Sequence, residues 1–253
     1  MIRAGLALVL CLLPAFRAAA EAGAARPELR VLAAASLSEV VSALAAHFDE
    51  ATIVASLGAS SELARQAADG APGDVFLSAS PEWVEHLRER GALQGSAQVF
   101  AGNQIVCVAP VPGPLASAGV RDAAALAAHT RPDDRIALAD VGVPAGEYTR
   151  ESLARQGVLA ALAPRIVGLK DVRAVLHAVE TGEVVAGFVY ATDARVSKLG
   201  RLFALDPSTH APIAYPAALL RQSTRPGLAR RFVDFLRSEV ARKLLLDAGF
   251  SVP

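Results

Sequence analysis

From residue 29 onward the chain alternates short apolar runs with amphipathic ones, and this rhythm restricts it to an α/β architecture with parallel strands. Strand-like runs occupy 29–35, 52–57, 74–78, 103–109, 135–139, 165–169, 184–190 and 213–220. Helical patterns occupy 37–49, 60–69, 81–91, 121–128, 146–156, 171–181, 226–237 and 239–248. Strands separated by helices make βαβ units, whose mostly parallel sheets are flanked by helices. Ligands of such sheets bind beyond the carboxyl ends of the strands. Pro110, Pro112 and Pro114, and later the stretch Ala211–Pro216, interrupt the rhythm. They mark two passages between lobes. The expected organisation is a first lobe from 27–108 plus 218–253, a second from 109–217, and a cleft between them. A single doubly wound domain is the alternative.

The start of the chain reads as a targeting segment. Arg3 precedes an apolar stretch at 5–16, and Ala18-Ala19-Ala20 offers a small-residue cleavage site, so residues 1–20 are expected to be a secretory signal peptide. The stretch is too short to span a bilayer. Leu10 stands where lipoprotein processing wants a small residue before Cys11, so no lipid anchor and no stable membrane insertion are expected. Cleavage removes Arg3 and Arg17 and no acid, leaving 23 basic against 25 acidic side chains and a net charge of about −2. That argues against nucleic acid or an anionic membrane as a partner. Cys107 is then the single cysteine, so an internal disulfide and a thiol zinc cluster are both out of reach. It sits in a strand-like run and reads as a buried small hydrophobe. His47, His86, His129, His177 and His210 show no metal-ligand spacing.

Hydroxyl and amide donors cluster where strands give way to helices. Ser36 ends the run Val31–Ala35, and Ser60 opens the pattern Ser60–Gln66. Helix starts leave four N–H groups unpaired and carry partial positive charge. A serine there either caps its own helix or offers O–H and N–H to an anion. Val143-Pro144-Ala145-Gly146-Glu147-Tyr148 follows another strand, with Ala145 and Gly146 too small to shield their amides. Asp171 is placed to cap a helix and leave the Val172 N–H exposed. Tyr190 closes a strand with a phenol. Taken singly, each has a structural reading: a cap, a cap, a core-edge tyrosine. Arg65 and Arg173 read as solvated helix residues or inter-lobe ion pairs.

These segments together closely resemble the periplasmic molybdate-binding proteins of ABC importers. The resemblance rests on AAASL at 33–37, the ASSELARQ and GAPGDVFLSAS segments within 59–80, VPAGEY at 143–148, DVR at 171–173, VYATDA at 189–194 and the terminal AGFSVP. It covers about 29–250 and implies a two-lobed class II periplasmic-binding fold that closes on a tetrahedral oxyanion. It also implies that Ser36 and Ser60 bind through hydroxyl and backbone N–H, Ala145 and Val172 through backbone N–H, and Tyr190 through its hydroxyl. Molybdenum would be held as the oxyanion, with no protein ligand to a bare metal ion, no catalytic residue and no cofactor. The implied partners are an importer permease with its ATPase, and the implied state is a periplasmic monomer. Glu147 would stand near the mouth of the cleft.

The chemistry of the donors agrees with this. Molybdate near neutral pH is a dianion with acceptors and no proton, and a site made only of donors satisfies it. Phosphate keeps a proton and gains from an acceptor, which the five positions lack. Tungstate nearly matches molybdate in size and is expected to bind with it. Sulfate and thiosulfate carriers of the same fold are the first alternative. A serine hydrolase is the second, against which stand the missing G-x-S-x-G elbow and the missing motif histidine. A cytoplasmic oxyanion sensor is the third, disfavoured by the signal-like start.

Overall fold

The computed structural model describes residues 26–253; the expected signal peptide lies outside the described residues. Among the described residues ten strands form two five-stranded sheets. The first contains β1 (Glu28–Ala34), β2 (Thr52–Gly58), β3 (Val75–Leu77), β4 (Leu93–Gly102) and β10 (Ala214–Leu220), in the order β2-β1-β3-β10-β4. The second contains β5 (Ile105–Ala109), β6 (Ile136–Ala139), β7 (Ile166–Leu169), β8 (Ala186–Tyr190) and β9 (Gly200–Ala204), in the order β7-β6-β8-β5-β9. The two orders share one plan: three parallel strands followed by two antiparallel pairings. In each sheet four of the five strands run in one direction and a single strand, β10 or β5, runs against them, so the sheets are mixed but mostly parallel, as expected.

Sheet membership also moves the lobe boundaries. β5 pairs with β8 and β9, so residues 105–108 belong to the second sheet and not to the first lobe as expected. The outward crossing lies between Gly102 and Ile105, ahead of the prolines at 110–114. The return crossing lies between Ala204 and Ala214, so β10 enters the first sheet before residue 218. The helices Pro226–Phe235 and Glu239–Ala248 close the chain against the first lobe, where the second of them meets the helix Ser38–Ala46. Two strands escape the sequence pattern, β4 and β9. Both are sheet edges with mixed exposure, where one-sided packing does not enforce alternation.

Alternation along β1 splits the core. Leu29, Val31 and Ala33 join a large apolar cluster that continues through Ile105–Ala109 into the second lobe, while Leu32 faces a smaller cluster with Leu63, Phe76, Leu87 and Leu220. Cys107 is fully buried in the larger cluster, and burial alone pushes its thiol far above the ordinary range. The strands therefore sit between helices on both faces, and their carboxyl ends are left free for a site.

One helix start is packed without tolerance. A Cβ on Gly146 would lie 2.1 Å from the Ala139 carbonyl oxygen and 2.7 Å from that of Asp140. Gly→Ala in an exposed helix interior adds stability of up to about 1 kcal/mol, but here the overpacking reverses the sign. Gly146→Ala should lower the unfolding free energy by about 1–3 kcal/mol, measured as a fall in urea midpoint at unchanged slope.

Candidate functional site

All six parallel strands end at one place. After β1 come Ala35 and Ser36, after β2 Ala59 and Ser60, and after β3 Ala79; from the other sheet, Val143, Pro144 and Ala145 follow β6, Asp171 and Val172 follow β7, and Tyr190 ends β8. The β1–β2 register pairs Ala34 with Gly58, which sets Ser36 beside Ser60. These residues line a single cavity of about 20 Å³. Pockets for drug-sized organic ligands run from about 300 to 1,000 Å³, so this one suits a small inorganic species. Ser36, Ser60, Ala145, Val172 and Tyr190 all line it, and each is at most 4% exposed.

Neither serine is a helix cap. Residues Ala35–Leu37 form a 3₁₀ turn ahead of the helix Ser38–Ala46, and Ser36 makes no cap bond. Ser60 is the first residue of the helix Ser60–Ala68, whose N-cap is Ala59 and which has no side-chain cap bond. The Ser60 Oγ instead accepts from the Ala79 N–H at 2.9 Å, which leaves its proton free. Ser36 Oγ lies 3.0 Å from the Tyr215 hydroxyl. Sequence reasoning missed Tyr215, because only the fold brings β10 to this place.

The amides are equally exposed by design of the caps. Pro144 opens the helix Pro144–Arg155 with no N–H to give, and Ala145 stands in the first turn, where amides lack helical partners. Asp171 caps the helix Val172–Glu180 as expected: its Oδ1 accepts from Arg173 and Ala174, both at 2.9 Å. Val172, at the first position, is left without that cap bond. Asp171 lines the cavity too, with this oxygen engaged. Glu147 is not among the lining residues; its Oε1 accepts the Gly142 N–H at 2.8 Å and holds the preceding turn.

Tyr190 is the most telling member. Its hydroxyl is buried and makes no hydrogen bond among the described residues. The Tyr215 ring lies edge-on to it at 5.8 Å, but that hydroxyl is already engaged by Ser36 and Asn103. Burial pushes the Tyr190 phenol well above its ordinary value, so it stays a proton donor. A buried donor without a partner costs about 1–3 kcal/mol. No Lys, Arg or His lines the cavity among the described residues. The three hydroxyls and first-turn amides are neutral donors that together fit an anion with several acceptor oxygens, with the Asp171 carboxylate beside them in the lining.

Contacts on both sides of the cavity fasten the lobes across the cleft. Arg173, next to Val172, pairs with Glu39 of the first lobe through its two terminal guanidinium nitrogens, one of them at 2.8 Å. Its Nε lies 2.9 Å from the buried Asp193 carboxylate, in an ion pair off the line of a hydrogen bond. Asp193 also accepts the Tyr190 N–H at 3.2 Å. On the other side of the cleft, Trp83 Nε1 donates to the Gly142 carbonyl at 3.2 Å, and Arg65 stacks on the Trp83 ring. Arg173 is thus an inter-lobe ion pair, as one of its two sequence readings held.

The bacterial extracellular solute-binding protein family matches residues 29–251. The chain belongs to this family. It is 32% identical over 235 residues to the molybdate-binding protein ModA of Haemophilus influenzae, a match spanning 90% of this chain and 91% of that one. The periplasmic molybdate-binding protein of Azotobacter vinelandii superposes with a TM-score of 0.78 at 23% identity, covering 89% of this chain and 99% of that one. The sulfate-binding protein SubI of Mycobacterium tuberculosis superposes with a TM-score of 0.75 at 18% identity, covering 88% and 86%. These two structures establish the two-lobed fold of periplasmic binding proteins for this member of the family.

The Asp193 ion pair gives a pH signature. Burial pushes its carboxyl up to about 7, against the pull of Arg173 and the Tyr190 N–H, with Glu39 and Asp171 nearby adding to the rise. Between the ordinary value of 3.8 and about 7 the folded chain holds a proton that the unfolded chain has lost. This group therefore stabilises the fold less as pH rises through that window. The unfolding free energy should fall between about pH 4 and about pH 7, and Asp193→Asn should flatten that fall. Chemical denaturation at several pH values checks it; an equally steep variant would exclude Asp193 as the source.

Proposed function

We propose that this family member captures molybdate, with tungstate as a near-equal ligand, and delivers it to the permease and ATPase of an ABC importer. The observation that carries the reading is the convergence of Ser36, Ser60, Ala145, Val172 and Tyr190 on one small cavity, with the Tyr190 hydroxyl buried and unpaired. The ModA relative supports the choice of cargo. A dianion without protons can take a bond from every one of these donors, and each bond to a charged group contributes about 1.5–3 kcal/mol. Rotation of two lobes about their connections is a reversible way to bind and release. The protein works as a periplasmic monomer after loss of residues 1–20, and it needs no cofactor. No histidine lines the cavity among the described residues, so neither serine has a base to make it a nucleophile.

Sulfate is the second reading. The likeness to a sulfate-binding protein and the equal charge and shape of the two anions favour it; cavity size is what separates them.

Trp83 supplies the assay. It is the single tryptophan of the chain and its indole bonds across the cleft to Gly142, so closure on a ligand should change its emission. Titration with molybdate, tungstate, sulfate and phosphate, paired with thermal unfolding, tests the reading. A ligand at about 100 times its Kd adds about 2.7 kcal/mol, or roughly 5–10 °C for a chain of this size. Response to molybdate and tungstate is the expected outcome. A sulfate-led response transfers the cargo to sulfate, and silence to every anion rejects the reading. Ser60→Ala should weaken molybdate binding by about 1.5–3 kcal/mol, measured by calorimetric titration, with little change in unfolding midpoint.

A further inference from the structure

We infer that Asn103 and Tyr215 are positioning residues that hold the Ser36 hydroxyl as a hydrogen-bond donor toward the cavity. The inference rests on the oxyanion reading above and adds two residues to it. The direction of each link follows from what each atom is able to do. Asn103 Oδ1 accepts from the Gln104 N–H at 2.9 Å. A backbone N–H only donates, so this amide atom is the oxygen and the other is the NH₂. The NH₂ gives one hydrogen to Thr192 Oγ1 at 2.9 Å and the other to the Tyr215 hydroxyl at 3.3 Å. An amide nitrogen does not accept, so the Tyr215 oxygen is the acceptor in that bond. Tyr215 is fully buried, and its own proton needs an acceptor inside the protein. Ser36 Oγ, at 3.0 Å, is that acceptor. The serine proton is then left for the cavity that Ser36 lines.

Ser60 reaches the same polarity by a shorter route, since the Ala79 N–H donates straight into its Oγ. Each serine thus has an acceptor position filled by a protein donor. The longer route also crosses the molecule. Asn103 stands in the crossing between β4 and β5, Thr192 follows β8 in the second lobe, and Tyr215 lies on β10 in the first. The crossing segment is therefore wired to the orientation of one ligand hydroxyl. Tyr215 packs edge-on against Phe100, Tyr190 and Phe250, so Tyr215→Phe removes the hydroxyl and keeps the ring.

A double-mutant cycle tests the inference. Molybdate Kd is measured by calorimetry for the wild type, Tyr215→Phe, Ser36→Ala and the double variant, with circular dichroism following unfolding. Ser36→Ala should weaken binding by about 10- to 100-fold, the loss of one charged hydrogen bond. Tyr215→Phe should weaken it by several-fold alone and by nothing further in the Ser36→Ala background, because its effect passes through that hydroxyl. Equal fold-losses in both backgrounds would show that Tyr215 acts by packing and would overturn the inference. Asn103→Ala, which leaves the aromatic cluster intact, is run through the same cycle and carries the test if Tyr215→Phe fails to fold. A wild type that binds no oxyanion would remove the anion reading itself; a wild type that binds with an additive cycle would remove only the positioning role.

Discussion

Three hydroxyls and the first-turn amides of two helices are sealed from water around one small cavity, and the arrangement of both lobes turns on that sealing. A donor kept from water without an acceptor costs about 1–3 kcal/mol. Contacts outside the cavity offset part of this: Arg173 with Glu39 on one side and Trp83 with Gly142 on the other. Because Arg173 follows Val172 directly, the segment that lines the cavity with an amide also carries the ionic fastening to the opposite lobe.

The topology explains how so many donors reach one point. Each sheet sets three parallel strands together, and parallel strands end on the same side. Two such sheets facing each other bring six carboxyl ends together. The chain visits the first sheet, crosses, completes the second, and returns with β10 beside β3. That return places Tyr215 behind Ser36, so the last strand of the first lobe serves a residue encoded almost at the beginning of the described chain.

Much of this was legible before any coordinates. The six strand ends, the glycine and alanine positions that leave amides bare, and the proline opening of the helix at Pro144 all carry local signals, and they converge as expected. The Asp171 cap was legible for the same reason. What failed was whatever depends on pairing. β4 and β9 are edge strands and show no clean alternation. The apolar run at 105–109 looks the same in either sheet, and only its partners β8 and β9 decide its lobe. Ser36 and Ser60 both sit where a cap would sit; their freedom from that duty follows from the φ and ψ of their neighbours and from Tyr215 and Ala79, far off in sequence. Asn103 and Tyr215 are separated by more than a hundred residues and leave no shared motif.

The absence of a cation from the cavity lining has a consequence for capture itself. Dipoles act over a few ångströms, whereas a fixed charge reaches out to about a Debye length, roughly 8 Å at physiological ionic strength. A pocket ringed with arginines would draw anions in from a distance and surrender that advantage as salt rises. A pocket of serines, a tyrosine and helix-start amides has no such reach to lose. Its donors act on an anion only at contact, so any salt dependence of the encounter comes from the charges around the cavity, Asp171 and Arg173 among them, and not from the donors themselves.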